Sequence, residues 1–312
     1  MHEHVARALY YLDVHLLYAS IVGLAAWALT SIRGGSATTK YWIWVATALN
    51  FVLPLGAALD KLLVSHLSWA APLSLIGDVA NGISRGTVAA VLGVVWLLGA
   101  ALMLARLGWR LRADHRAARA AAGRGALDPR PSFLARGVPV RFAESRRAPA
   151  VDGVLRPQIS LPDGIDRLLS EDELDAVLIH ELTHARRRDN LIRLVYEVGL
   201  CGLWFHPLVW IAGSRLALYR ELSCDESVIR RARGGALVSA LAKLANPEEA
   251  FLLQATASSF LSHRLARLAA APPRRTGRAA SALLAVVFGA VLLGGVLETV
   301  AHTACCFVAR TL

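Results

Sequence analysis

Charge is scarce in this sequence, and lysine is scarcer still. Charged residues make up 18% of the 312 positions, against roughly 25% in typical globular domains. Lys40, Lys61 and Lys243 are the only lysines. With hydrophobic residues at 55%, so little charge excludes intrinsic disorder. Cysteine is sparse as well. Cys201, Cys224, Cys305 and Cys306 form no CxxC pair and no metal-type spacing, so neither a zinc ribbon nor a disulfide framework is indicated. What the chain has in abundance is apolar surface, with a mean hydropathy of +0.47, and arginine, which carries the formal net charge to +11.

A bilayer crossing needs about 20 mostly apolar residues. Four stretches without Asp, Glu, Lys or Arg approach that length: 14–32, 41–59, 86–105 and 279–297. Tyr10, Tyr11, Tyr41, Trp42, Trp44 and Trp109 stand near their ends, as an aromatic belt requires. The first stretch lacks a basic start and a small-residue cleavage site, so it reads as a retained helix and not as a signal peptide. Basic residues set the orientation. Arg33 and Lys40 lie between the first two stretches, Arg106, Arg110, Arg112, Arg116, Arg119, Arg124 and Arg130 follow the third, and Arg274, Arg275 and Arg278 precede the fourth. The loop 60–85 is near neutral. This pattern predicts a multi-pass protein of the bacterial plasma membrane, N-terminus outside, with a large cytosolic segment between spans three and four. The expected organisation is three transmembrane helices in 1–107, a cytosolic domain in 108–278, a fourth span in 279–301 and a short external tail in 302–312.

The arginine run after span three could grip nucleic acid, but it directly follows a membrane helix, where such residues meet anionic lipid. No helix-turn-helix, RNP or zinc-finger spacing accompanies it, so direct nucleic-acid binding is not expected. A transporter is weakly supported: Asp13 and Glu298 stand at span ends, where an interfacial place is the ordinary one.

Within the cytosolic segment, 138–143 and 154–161 are short and β-leaning, broken by Gly153, Pro157 and Pro162. The prolines predict edge strands, and the edge near Pro157 and Pro162 is a place where a substrate strand could add. A helix starts after Ser170, whose partner Glu173 completes a capping box. That helix contains His180-Glu181-Leu182-Thr183-His184. Residues four apart share a helix face, so His180 and His184 can bind one Zn²⁺, with Glu181 placed as the general base of a hydrolase.

Zinc in a hydrolase takes a third protein ligand and keeps one position open. A third histidine six residues after His184 is absent, because Asn190 stands there. Glu197, Glu221 and Glu226 are the downstream candidates, and only Glu221 begins an ExxxD pattern, ending in Asp225. The expectation is Glu221 as ligand, with Asp225 behind a ligand histidine to hold its tautomer. Tyr219 and Arg220 stand near Glu221 as candidate donors for a developing oxyanion, Arg220 equally as a structural ion-pair partner, and the oxyanion-stabilising residue is left open. A further apolar run, 198–214, contains Pro207, where a kink is expected. The run cannot cross the bilayer if Glu221 is to join the histidines, so it must be re-entrant, interfacial or buried. His206 within it reads as a packing residue.

LLSEDELDAVLIHELTHARRRDNL, then WFHPLVW, then RELSCDESVI resemble the integral-membrane zinc peptidases of the BlaR/MecR antirepressor type. The resemblance is strongest over 132–235, and the three-before, one-after arrangement of spans extends it. It implies a mainly α, four-span protein carrying a gluzincin-like α+β zinc peptidase domain. By position it implies His180, His184 and Glu221 as metal ligands and Glu181 as catalytic base. It implies cleavage of a protein substrate such as a transcriptional repressor. The best-known members carry an external penicillin-binding domain after the last span; only the tail 302–312 follows here, so that sensor is not expected. Two other roles stay open: membrane-protein quality control of the HtpX type, and a non-catalytic receptor or scaffold.

Overall fold

A computed structural model describes residues 2–32, 34–53, 85–122, 137–143, 148–244, 264, 268 and 278–293. Arg33, Lys61, most of the 60–85 loop, Arg124, Arg130, Arg274, Arg275, Glu298, Cys305, Cys306 and the tail 302–312 lie outside the described residues, as do the far ends of the second and fourth apolar stretches.

The chain is mainly helical. Helix α1 (His2–Ser31) and α2 (Ala37–Val52) form a hairpin, followed by the long α3 (Arg85–Ala122). Three strands come next: β1 (Val140–Ala143), β2 (Ala150–Asp152) and β3 (Gln158–Pro162). Among the described residues, the remaining helices are α4 (Ile165–Leu168), α5 (Glu171–Arg187), α6 (Asp189–Gly202), α7 (Pro207–Ile229) and α8 (Gly234–Leu244), then α9 (Arg278–Leu293).

Among the described residues, one helix is long and apolar enough to cross a membrane, Ala90–Arg119 within α3. Leu92, Val94, Leu97, Leu98 and Leu102 on it are exposed, a density of bare apolar surface that needs lipid or a partner to cover it. The α1–α2 turn is tightly built. Ser36 caps α2 by accepting from the Thr39 amide, and buried Lys40 donates to the carbonyls of Thr30 and Ile32 at the C-terminus of α1. Placing a cation there satisfies orphan carbonyls and the negative end of the helix dipole.

Two of the three apolar clusters among the described residues bear on the site. One joins the sheet to α5 and α8 through Ile159, Leu161, Leu178, Ile179 and Leu237. The other joins α1, α2, α7 and α9 around Tyr41, Trp44, Leu216 and Phe288. Helix α7 serves both: Ala212, Leu216, Tyr219 and Leu222 pack in the helical core, while Val228 packs under the sheet. This shared helix is what locks the sheet-bearing half to the hairpin.

The strand order is β1-β3-β2, parallel between β1 and β3 and antiparallel between β2 and β3. The strand bounded by Pro157 and Pro162 is therefore central, contrary to the edge position expected from its prolines. The reason lies in the direction of the amides. Ile159 and Asp163 donate towards β1, so Pro162 faces the β2 side, and β2 ends opposite Ser160. The missing N–H faces past the end of the neighbouring strand and breaks no ladder bond.

The apolar run 198–214 is a reversal: α6 ends at Gly202 and α7 begins at Pro207. Pro207 does not kink a continuous helix; it occupies the first turn of a new one, where a missing amide costs nothing. His206 packs at that turn, its Nε2 3.1 Å from Ser20 Oγ. Helices α2 and α6 approach so closely that a Cβ on Gly199 would overlap Val52.

Candidate metal centre

Helix α5 begins as its sequence dictates. The Ser170 side chain accepts from the Glu173 amide, and Glu173 accepts from the Ser170 amide. Glu173 is further held by Lys243 and Ser239 of α8. With its N-terminus anchored, the helix turns His180 and His184 towards α7. Their Nε2 atoms face each other at 3.2 Å.

Across from them, Glu221 Oε2 lies 3.5 Å from His180 Nε2 and Glu221 Oε1 lies 3.8 Å from His184 Nε2. Tetrahedral coordination with bonds of about 2.0–2.1 Å has ligand–ligand edges of about 3.4 Å. Glu221 thus presents one oxygen to each imidazole, and these donor separations are of the size that a tetrahedral Zn²⁺ site needs. The Cys224 thiol, one turn after Glu221, also lies close: donor atoms of His180, His184 and Cys224 all fall within 4.8 Å of one another. Glu197 and Glu226 are occupied elsewhere. Glu197 pairs with Arg110 and Arg193, and Glu226 accepts from the Thr38 amide and hydroxyl at the start of α2.

Each histidine has a carboxylate behind it. Asp225 Oδ1 lies 3.1 Å from His180 Nδ1, and Asp189 Oδ2 lies 2.7 Å from His184 Nδ1. Each carboxylate in turn has an arginine. Arg264 donates to both oxygens of Asp225 at 2.8 Å, and Arg187 Nη2 donates to Asp189 Oδ2 at 2.6 Å. Arg187 also reaches Ser223, the Arg220 carbonyl and Cys224 Sγ. Sequence reasoning missed Asp189, Arg187 and Arg264. Asp189, five residues past His184, begins the next helix after the left-handed Arg188, and nothing in a periodic pattern announces that corner.

The electrostatics are those of a cation site. Burial works against charge on His180, but Asp225 and Glu221 outweigh it and hold the imidazole up at about 9. Burial likewise opposes charge on His184, and Asp189 and Cys224 hold it well above its ordinary value. Burial would lift the Glu221 carboxyl, yet the two histidines keep it well below the usual range. Asp189 and Asp225 are also depressed against burial, by His184 and Arg187 and by Arg264 and His180 respectively.

The histidines, Glu181, Glu221, Asp189 and Arg220 line a cavity of about 220 Å³, with Pro149, Val151, Asn190 and Arg193 completing its lining. Asn190 donates from Nδ2 to the carbonyls of Val151 and Gly153, pinning edge strand β2 beside the site. Arg220 pairs with Glu221 at 3.1 Å. Tyr219 turns away, its hydroxyl donating to the buried Thr30 carbonyl.

A HExxH helix faced by a Glu-bearing helix beside a small sheet has the form of a metallopeptidase. Residues 12–268 match the family described as BlaR1 peptidase M56, and the chain belongs to that family. It is 39% identical over 84 residues to the regulatory protein BlaR1 of Bacillus licheniformis, covering 27% of this chain and 14% of that protein. It is 24% identical over 98 residues to the methicillin resistance mecR1 protein of Staphylococcus aureus strain Mu50, covering 31% of this chain and 17% of that one. The chain thus matches less than a fifth of the length of these relatives.

Proposed function

We propose that the chain is a membrane-embedded zinc endopeptidase that cleaves a cytosolic or membrane-associated protein in regulated proteolysis, such as inactivation of a transcriptional repressor. The observation that carries this reading is the convergence of two imidazoles and one carboxylate: His180 Nε2 and His184 Nε2 lie 3.2 Å apart, with Glu221 Oε2 3.5 Å from the first and Oε1 3.8 Å from the second. His180, His184 and Glu221 are the ligands. Glu221 is preferred over Cys224 because it lines the cavity, whereas the thiol is fully buried and engaged by Arg187. Asp225 and Asp189 hold the two imidazoles with Nε2 free to face the ion.

Bound zinc would supply Lewis acidity, acidifying a water and polarising the scissile carbonyl. Glu181 lines the same cavity, and its carboxylate takes the water proton and passes it to the leaving amine. Among the described residues β2 is an edge strand, and it borders the cavity at Val151, whose carbonyl Asn190 holds in place; a substrate strand aligns beside it. Edge strand β2 takes the role first expected of the strand near Pro157 and Pro162.

The names of the relatives support a signalling role, since one is a regulatory protein and another a resistance protein. The exposed apolar surface of α3 supports embedding in the bilayer; the four spans, the outside N-terminus and a site at the cytosolic border rest on the apolar stretches and the arginine distribution of the sequence. Comparison of protein N-termini in cells carrying the wild type or Glu181→Gln tests the proposal. New N-termini from a defined substrate should depend on Glu181, while the variant keeps its metal. A variant that cleaves as the wild type does would overturn the reading.

A further inference from the structure

Tyr41 lies in the first turn and a half of α2, an apolar helix, yet its hydroxyl touches the metal centre. It donates to Asp189 Oδ1 at 2.6 Å, while Oδ2 of the same carboxylate lies 2.7 Å from His184 Nδ1. The ring is fully buried and lies under the Arg187 guanidinium, 4.2 Å from its centroid. Arg187 is the same residue that donates to Asp189 Oδ2. Asp189 thus has one oxygen shared by His184 and Arg187 and the other held by a helix from a different part of the chain.

We propose that Tyr41 is a positioning residue for the metal centre: by holding Oδ1 of Asp189 it orients His184, making the seating of α2 a condition for a formed site. This rests on the reading of His184 as a ligand. The physical chain is short. A carboxylate bonded through one oxygen can swing about its terminal torsion, which is broad; one bonded through both cannot. A fixed Asp189 keeps the proton of His184 on Nδ1, which leaves the Nε2 lone pair for the ion. Hydrogen bonds weaken steeply when stretched or bent, so a shift of about 1 Å in α2 would release Oδ1.

A second contact registers the same helix on the other side of the site. Glu226, one residue past Asp225 on α7, accepts from the Thr38 amide and hydroxyl. The α1–α2 hairpin therefore reaches α6, which begins with Asp189, and α7, which carries Glu221 and Asp225. A movement of the hairpin reaches the ion through Tyr41 and Asp189 without any hairpin residue being a ligand.

The test uses the full chain in detergent or nanodiscs and measures zinc affinity by competition with a chromophoric chelator. Tyr41→Phe keeps the ring and loses the hydroxyl; its affinity should fall about tenfold, the lower end of the range for a lost outer partner. Tyr219→Phe removes another buried hydroxyl from the same seam, one that bonds Thr30 and no site carboxylate, and its affinity should stay at the wild-type value. Wild-type affinity in Tyr41→Phe, or an equal fall in both variants, would overturn the proposal. His184→Ala separates the two layers. If it loses zinc while Tyr41→Phe does not, only the role of Tyr41 fails. If it keeps wild-type affinity, the metal reading itself fails.

Discussion

Arg264 grips Asp225 through two hydrogen bonds of 2.8 Å, from Nε to one carboxylate oxygen and from Nη2 to the other. Asp225 is almost fully buried and stands behind His180. The pair fixes the carboxylate by a bidentate fork, the geometry in which arginine is strongest. Asp225→Asn should weaken zinc binding by about 10–100-fold. Arg264→Met should do the same through Asp225, and the double variant should be little worse than either single one. Chelator competition on the three variants measures this, and fully additive losses would contradict the coupling.

The identity of the third ligand is open to direct measurement. Glu221→Gln should lower the zinc content of the purified chain to a small fraction of the wild-type level. Cys224→Ser should leave it near one ion per chain, because the thiol is held by Arg187 at 3.0 Å. The reverse outcome would make the buried histidine–cysteine group the true site.

Strand β2 depends on Asn190 for its place beside the cavity. Asn190→Ala removes two side-chain bonds to the Val151 and Gly153 carbonyls. Because the loss affects alignment of the substrate and not proton transfer, KM for a peptide substrate should rise several-fold with kcat little changed. A fall in kcat alone would place Asn190 in a different role.

The protonation of the metal-free site predicts opposite effects of pH on fold and on binding. His180 and His184 are raised above their unfolded value near 6.5, His180 to about 9. Raised histidines stabilise the folded metal-free chain most fully below pH 6.5, and that contribution is lost as pH rises towards 9. Zinc displaces those protons, so its affinity should climb over the same interval. Thermal unfolding of the chelated protein should therefore show a midpoint that falls from pH 6.5 to 9, and saturating zinc should remove the decline.

The capping box at Ser170 and Glu173 and the i, i+4 spacing of His180 and His184 are local features, governed by backbone periodicity, and both are legible in the order of residues. The ExxxD pattern similarly singles out one acidic pair on a later helix. The apolar run 198–214 is legible as apolar but not as a reversal. Its Pro207 fits a kink or a helix start equally well until the partners of α6 and α7 are known. Pro157 and Pro162 misled for a related reason: whether a proline harms a sheet depends on which neighbour its missing donor faces, and that is a property of pairing.

By itself, then, the sequence determined a basic, apolar chain with one capped helix carrying the HExxH motif, because helix spacing, capping and hydropathy act over a few residues. The tertiary structure alone decided that β3 is central, that Asp189, Arg187 and Arg264 stand behind the histidines, and that Tyr41 of a distant helix reaches the same site. Those contacts join residues up to 148 positions apart. They come from packing α2 and α7 around a shared core, and side-chain burial between helices leaves no period in the sequence to be read.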